Sequence, residues 1–241
     1  MNYFLSFLKK KSVFISILSF LIFLLLFSLS QNFSLKSKPA EKERIISLPE
    51  IGTEKQIEEL IYNRSSQRSF SDENISLDII SQLLWSACGI TVDGISGPTR
   101  AVSSAGATNP LEIYFSAHNI KNLEDGIYKY DPEEHILKQK NSQNKSDELF
   151  KAALNQNPVK DSAGVIIISA LYERTTKKYG ERGKKYVHME AGSASQNINL
   201  TAKNYNLGTV VIGAFDNSEI KKLINIKEEP LLLIPVGKKK L

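Results

Sequence analysis

The feature that most constrains the fold is a continuous apolar run, Gly164–Ala170, rich in β-branched residues. A run of this kind is typical of a strand that is buried on both faces. It is followed by Arg182–Tyr205, the longest helical pattern, and then by a second apolar run, Thr209–Ala214, which also predicts a buried strand. Leu231–Val236 predicts the last strand. The chain therefore needs a sheet with helices packed against it.

The remaining elements follow from apolar spacing and from residues that begin or end helices. Strands meet both hairpin-like and helical connections, which favours an α+β fold over a strict parallel βαβ series. The pattern predicts a helix over Glu54–Tyr62 and a helix over Leu77–Cys88, with Ser76 as N-cap and Gly89 at its end. It predicts a strand over Leu111–Ala117 and a hairpin of residues 126–130 and 136–139 across Asp131-Pro132. It also predicts a short helix to Leu154 that is capped by Ser146, and a helix to Leu223 with Asp216 and Glu219 as a capping box.

The net charge of +5 is concentrated at the N-terminus. Residues 1–50 carry seven basic and three acidic residues, which leaves 24 basic and 23 acidic residues in the rest of the chain. A nearly neutral body argues against a broad nucleic-acid-binding face. The single cysteine, Cys88, lies in an apolar helical pattern and is predicted to be a buried small hydrophobic residue.

An apolar stretch, Val13–Leu29, follows three lysines near the N-terminus. Residues 1–30 are therefore predicted to be a membrane anchor or signal segment, and run length favours an uncleaved anchor over cleavage near Gln31. A buried helix of the folded body is the remaining alternative. Residues 31–53 are predicted to be a tether before a domain over 54–241. The short N-terminal tail favours an extracytoplasmic body, although Lys/Arg flank the segment on both sides.

Three separate islands carry the candidate binding chemistry. The first, residues 64–68, places two arginines around two serines; guanidinium groups and hydroxyls suit a phosphate, while a solvated surface is the alternative. The second, residues 103–112, is rich in small residues that let the backbone approach a flat ligand, unless it is a plain surface loop. The third combines Gln196-Asn197 with Gly213-Ala214-Phe215, where a backbone N–H can face a ligand or the chain simply turns into a helix.

The helix that contains Gln196-Asn197 is rich in small residues, which favours close helix packing in a homodimer core over direct chemistry. The residues concerned are Ala191, Gly192, Ala194 and Ser195. His188 is a weaker candidate as a general acid. No histidine pair has metal-ligand spacing beside a carboxylate, so no metal site is predicted. The terminal Lys238–Lys240 run is either a solvated tail or a source of a phosphate ligand, Lys238.

In this order and at these separations, the islands resemble the nitroreductase superfamily of FMN enzymes, most closely its SagB-type dehydrogenase branch. The resemblance covers about residues 56–241. Arg64, Ser66, Arg68 and Phe70 match the first motif of that branch, and Ser65 stands where it has a second arginine. The second motif matches apart from three departures, at Ser103, Thr108 and Asn109.

The resemblance implies a mixed, mainly antiparallel sheet flanked by helices, an intertwined homodimer and one cofactor, FMN. It implies that hydride passes through flavin N5 in a ping-pong reaction to a small organic acceptor, so no protein side chain is expected to be catalytic. NAD(P)H would bind only transiently, since a Gly-x-Gly-x-x-Gly fingerprint is absent. The cofactor-binding residues it implies are Arg64, Ser65, Ser66, Arg68 and Lys238 for the phosphate and ribityl chain, Ser104, Ala105, Gly106 and Asn109 along the isoalloxazine, and Gly213 and Ala214 at the N5 edge.

Two alternatives stay open. The branch takes its name from dehydrogenation of azoline rings in a modified peptide, which would make a peptide the substrate. The departures at Ser65 and Asn109 also allow a non-catalytic scaffold that binds flavin or a partner protein.

Overall fold

A computed structural model describes residues 56–94 and 97–240, without the side chains of 92–98, and every structural statement below refers to these residues. The predicted N-terminal anchor and tether lie outside the described residues, as does the start of the helix predicted from Glu54. Among the helices that are described, none is both long and apolar enough to cross a membrane.

The described chain contains helices and strands, with a run of six consecutive strands in its middle. Its helices are α1 Gln56–Tyr62, α2 Leu77–Cys88, α3 Ser146–Ala152, α4 Asn157–Asp161, α5 Tyr172–Tyr179, α6 Arg182–Asn204 and α7 Asn217–Ile224. Its strands are β1 Ile75–Ser76, β2 Ile90–Gly94, β3 Gly97–Arg100, β4 Leu111–Ala117, β5 Ile120–Lys121, β6 Gly126–Asp131, β7 Ile136–Asn141, β8 Gly164–Ala170, β9 Leu207–Thr209 and β10 Glu229–Lys238.

The main sheet has six strands in the order β7-β6-β4-β8-β10-β9, and every pairing within it is antiparallel. Strand β8 lies inside the sheet between β4 and β10, and all seven of its residues are buried. The prediction from its apolar run is confirmed. The predicted α+β fold with a mainly antiparallel sheet is also confirmed; the one parallel pairing in the described residues joins β1 and β5.

Helices cover both faces of the sheet, because alternate residues of the inner strands point to opposite sides. On one face, Ile166 and Ile168 of β8 belong to a core cluster with residues of α2 and α6. On the other face, Val165 and Ile167 belong to a second cluster with residues of α3, α4 and α7. Each core cluster packs against one face of β8, which explains why the strand has no polar face.

The small residues of α6 do not face outward as predicted. Ala191, Ala194 and Ser195 are buried within the protomer, since they lie on the same helical face as the core residues Val187 and Ile198. Their role is close packing against the protomer's own core, and the prediction that all four small residues meet a partner was wrong. Gly192 alone of the four is exposed, with open space where a side chain would stand.

The strand predicted over Thr209–Ala214 is also shorter than expected. Strand β9 ends at Thr209, and pairing resumes only as a single bridge between Ile212 and Leu233. Because β9 lies at the edge of the main sheet, no further strand of the described chain pairs with it there, although the amide of Gln67 bonds to Thr209 O. The following Val211 and Gly213 are exposed. The apolar run therefore becomes an edge segment rather than a buried strand.

Helix caps were predicted with mixed success. Asp216 caps α7 as expected: its Oδ1 accepts hydrogen bonds from the amides of Ser218 at 2.9 Å and Glu219 at 3.1 Å. Ser76 stands at the N-cap of α2 but makes no side-chain capping bond. Ser146 is the first residue of α3 rather than its cap, and its amide donates to Asn144 Oδ1 at 2.9 Å.

The Asp216 cap gives a direct test of local stability. Asp216→Ala leaves two amides of α7 without their acceptor, so we expect the free energy of unfolding to fall by about 1 kcal/mol. Urea denaturation at pH 7 measures this loss. Asp216→Asn, which keeps an accepting oxygen, is the matched control and should lose clearly less; an equal loss in both variants would contradict the capping role.

Candidate functional site

Helix α6 holds two of the three islands through amide side chains. Asn197 Nδ2 donates to the carbonyl of Ala101 at 2.9 Å, at the entrance of the small-residue loop. Two residues further along the helix, Asn199 Oδ1 accepts from Thr209 Oγ1 at 2.8 Å, and both side chains are buried. Since buried polar groups need partners, these bonds fix the start of each segment relative to one rigid helix.

The arginine-serine loop lies against the end of the main sheet. The amide of Gln67 donates to Thr209 O at 2.8 Å, and the amide of Ser71 donates to Lys238 O at 3.0 Å. The loop is thus held between β9 and the end of β10, which places it beside Lys238. Its four predicted site residues are all exposed: Arg64, Ser65, Ser66 and Arg68.

Phe70 locks this loop in place. Its side chain is only 5% exposed, and a Cβ at Gly237 would lie 2.6 Å from the Phe70 ring. The ring therefore needs glycine at this position of β10. Phe70 also forms an antiparallel bridge with Lys239. The aromatic residue of the first motif has a structural role: it joins the start of the folded chain to its end.

Two lysines that were not predicted complete a cationic cluster at this end of the sheet. Lys203, in the last turn of α6, lies near Lys239, and burial together with the positive charge of Lys203 lowers the pKa of Lys239. Neither lysine, nor Arg64 or Arg68, forms an ion pair among the described residues. An anion here would relieve the repulsion, so the cluster suits a phosphate.

The small-residue loop has an unusual backbone. Gly106, Ala107 and Asn109 all have positive φ, at 60°, 55° and 44°. Residues with side chains rarely adopt this conformation without support. Ser104 gives that support, because its Oγ accepts a hydrogen bond from the amide of Asn109 at 2.9 Å and closes the loop. Ala105 is half-buried in the short 3₁₀ turn between them.

Helix α5, which the sequence analysis missed, clamps the outside of this loop. Arg174 Nη1 donates to the carbonyl of Asn109 at 2.8 Å, and Lys178 Nζ lies 3.4 Å from the carbonyl of Gly106. Thr175 Oγ1 lies 2.8 Å from the hydroxyl of Thr108. These three contacts come from one face of the helix and hold the strained backbone in place.

Glu190 holds the loop from α6. Its carboxylate accepts a hydrogen bond from Ser104, and its side chain lines a cavity of about 360 Å³ together with Arg100 and Cys88. Glu190 is only 5% exposed, and burial raises its pKa to about 7, against the lowering effects of Ser104 and Arg100. Burial likewise raises the pKa of Cys88 to about 12, so the thiol stays protonated, in agreement with its predicted structural role.

Gly213 and Ala214 lie on the exposed segment that follows β9. The carbonyl of Ala214 accepts from Gln156 Nε2 at 2.7 Å, which fixes the segment. No atom of the described chain lies within 4 Å of the position that a Cβ would take at Gly213. The protomer itself therefore leaves space at this position, as a ligand approaching the backbone would require.

The structure thus brings the arginine-serine loop and Lys238 together, and joins them through Thr209 to the segment that carries Gly213. The small-residue loop stands apart: no hydrogen bond or ion pair in the described chain links it to residues 64–68. His188, the weaker candidate, is hydrogen-bonded to the Tyr172 hydroxyl on the exposed side of α6.

Comparison with known proteins places this geometry in a family. The model of the nitroreductase family matches residues 61–238. The protein MJ1384 of Methanocaldococcus jannaschii, which is described as a nitroreductase, is 43% identical over 194 residues, or 80% of this chain and 96% of that protein. The chain therefore belongs to the nitroreductase family, and its general activity is that of an oxidoreductase. The finer SagB-type assignment is not established by these matches.

Solved structures agree in fold. The Escherichia coli microcin synthetase McbBCD complex with truncated pro-MccB17 contains a similar chain (TM-score 0.65, 23% identity, 88% of this chain and 81% of that chain). The NADPH:FMN oxidoreductase of Vibrio harveyi in complex with NAD⁺ is also similar (TM-score 0.55, 16% identity, 78% and 70%). At these identities the likeness concerns the fold alone, and it confirms the nitroreductase-like architecture.

The raised pKa of Glu190 predicts a pH-dependent cost of folding. Because its folded-state pKa lies above the usual value of 4.5, the cost grows as the pH rises from that value and is complete above about 7. A shift of this size corresponds to about 3 kcal/mol. We expect Glu190→Gln to unfold like the wild type near pH 4 and to be more stable above pH 7, as measured by thermal unfolding across this range. A difference that does not change with pH would contradict the shift.

Proposed function

We propose that the protein is an FMN-dependent oxidoreductase of nitroreductase type that passes hydride through flavin N5, in ping-pong fashion, to a small organic acceptor. The observation that carries the proposal is the cationic cluster at the end of β9 and β10. When bound, FMN supplies the redox chemistry, and the protein supplies binding and orientation.

The cluster supports a phosphate because its cations lie on adjoining segments of the chain and lack carboxylate partners in the described residues. The Arg64 and Arg68 guanidinium groups offer planar pairs of donors, and the Ser65 and Ser66 hydroxyls stand between them in the chain. Lys238 is the phosphate ligand that the sequence predicts, and the neighbouring Lys203 and Lys239 add two further ammonium groups. A dianionic phosphate is the ligand that offsets such a concentration of charge.

The other islands support a flat ring. Residues 104–109 present a backbone with little side-chain bulk, held rigidly from α5 and α6. The open space at Gly213 lets a ring edge approach the chain there, and the Gln156 bond to Ala214 limits how far the segment moves. In this proposal Ser104, Ala105, Gly106 and Asn109 lie along the ring, and Gly213 and Ala214 at its N5 edge.

A homodimer is part of the proposal, since the islands are not joined within one protomer. Several large apolar side chains are exposed in the protomer, including Ile57 (59%) and Ile61 of α1 and Met189 (65%) of α6. Apolar surface of this kind commonly marks an interface. The exposed face of α6, with Gly192 and Met189, would meet the partner subunit, and NAD(P)H would act as a transient donor over the flavin.

We also propose a substrate class and a cellular location. Action on a peptide, as an azoline dehydrogenase, draws support from the fold shared with the microcin synthetase complex, whose structure holds a truncated pro-peptide. The SagB-type motifs at residues 64–70 and 103–112 support the same branch. We further propose, from sequence alone, that residues 1–30 anchor the body on the extracytoplasmic side of a membrane or are removed near residue 30.

The phosphate assignment predicts the loss of FMN binding when the arginines are removed. Arg64→Ala combined with Arg68→Ala removes two charge-assisted contacts, so we expect FMN affinity to fall by about 100-fold or more. Titration of FMN, followed by quenching of its fluorescence, measures the dissociation constant. Lys140→Ala with Lys151→Ala, which removes two exposed cations outside the site, is the matched control. Unchanged FMN affinity in the arginine variant would refute the phosphate assignment.

The interface assignment predicts that a charge on the exposed face of α6 separates the subunits. Met189→Glu places a carboxylate in apolar contact surface, so we expect light scattering after size exclusion to show a monomer and FMN binding to weaken together. Ile136→Glu, at an exposed position of the edge strand β7, is the control and should stay dimeric. A dimer that withstands Met189→Glu would place the interface elsewhere.

A further inference from the structure

The neutral charge of the folded body conceals a strongly basic corner. Residues 172–186, which form α5, the connecting turn and the start of α6, hold six basic and two acidic residues, a net charge of +4. The rest of residues 51–241 then holds 18 basic and 21 acidic residues. Without this segment the body would carry a net negative charge, even though the cluster at Arg64 and Lys239 is also locally basic.

The cations of this corner, which we call the α5–α6 corner (residues 172–186), are available at the surface. Lys177, Lys178, Arg182 and Lys185 are exposed, and none of them forms an ion pair within the described part of the chain. Only Arg174 and Lys184 have carboxylate partners there. Exposed cations without carboxylates keep their full field for a ligand.

Two tyrosine rings are built into the same corner. The rings of Tyr179 and Tyr186 meet edge to face with centroids 5.2 Å apart. Lys178 Nζ lies 5.6 Å from the centre of the Tyr179 ring, and the Arg182 guanidinium lies 5.7 Å from that of Tyr186 and donates to its hydroxyl at 2.9 Å. Stacked cations and rings form a preorganised surface that accepts a flat aromatic group next to an anion.

The corner adjoins the small-residue loop. A Cβ at Gly106 would lie 2.5 Å from the Tyr179 hydroxyl and 2.6 Å from Lys178 Nζ. Tyr179 and Lys178 are therefore part of the basic corner and also lie against the loop backbone that is proposed to lie along the flavin. A ligand on the corner is within reach of that loop, whereas a surface elsewhere on the body would not be.

We propose that the α5–α6 corner is the binding site for a phosphate-bearing aromatic substrate of the oxidoreductase, with Lys178 and Arg182 holding its phosphates and Tyr179 and Tyr186 its ring. The proposal rests on the proposed function, because it takes residues 104–109 as the loop that faces the flavin. It adds a second phosphate-recognition site that is separate from the cluster at Arg64 and Lys239.

A small ligand fits this corner better than a membrane or a nucleic acid. The basic excess spans only two short helical stretches, and the rest of the folded body carries a small acidic excess, which would oppose an extended polyanionic surface. Two rings and a few cations match one nucleotide-sized molecule. Binding should therefore grow with each phosphate of the ligand and weaken with salt.

The test uses the full chain saturated with FMN, so that the flavin phosphate cluster is already occupied. Adenosine, AMP and ADP serve as probes, and isothermal titration calorimetry measures their binding. We expect affinity to rise in the order adenosine, AMP, ADP and to fall as salt is raised. Lys178→Gln with Arg182→Gln should weaken ADP binding at least about ten-fold. Because Lys178 also contacts the Gly106 carbonyl, the retention of FMN is judged on Arg182→Gln alone. Lys140→Gln with Lys151→Gln is the matched control.

Arg182→Gln alone guards against damage to the loop, because Arg182 contacts Tyr186 and not Gly106. It should weaken ADP binding, and Arg182→Lys should restore part of it. Three outcomes, each with the flavin still bound, would overturn the proposal. They are equal binding of ADP and adenosine, unchanged ADP binding in both glutamine variants, and binding of anionic phosphatidylserine vesicles in place of ADP. Loss of FMN from the wild-type chain would instead refute the proposed function.

Discussion

The site depends above all on the packing of α6 against the sheet. One face of this helix is consumed by the core through Val187, Ala191 and Ile198, so the helix cannot rotate or slide without opening that core. Its polar residues at the edges of that face therefore have fixed positions. Asn197 holds the small-residue loop, and Asn199 holds the start of the edge segment. Both segments, which are far apart in sequence, are thereby positioned relative to the same helix.

Close approach at one glycine brings the two ends of the folded chain together. The Phe70 ring sits where any side chain at position 237 would stand, and this contact places the arginine-serine loop beside the terminal lysines. That Arg64, Arg68 and Lys238 share a ligand could be predicted from the family resemblance, but not from the sequence motif alone. Nothing in the spacing of Lys203 or Lys239 marks them, since their proximity arises from how the end of α6 meets the end of β10.

The elements that sequence predicted correctly are those whose pattern and surroundings agree. Strand β8 is apolar throughout and buried throughout, and α6 is long and periodic. The errors have physical causes. The run 209–214 is apolar, but pairing is limited at a sheet edge. Helix α5 is almost entirely polar, so it has no apolar stripe to detect, and it is stabilised instead by contacts with the loop at Thr108 and Asn109. Small residues on α6 indicated close packing correctly but not which surface they face.

The pairing of charges separates structural cations from those available to ligands. Around the cavity behind the small-residue loop, Arg100, Lys129, Lys138 and Arg174 each contact a carboxylate, so their charges are spent on holding strands and loops together. At the end of β10, and at Lys177, Lys178, Arg182 and Lys185 of the α5–α6 corner, the cations lack such partners among the described residues. Paired cations offer little field to a ligand, because the carboxylate cancels it over a short distance. In the proposed arrangement, the unpaired cations at the end of β10 hold the phosphorylated cofactor, and those of the α5–α6 corner hold a phosphorylated substrate at the same time.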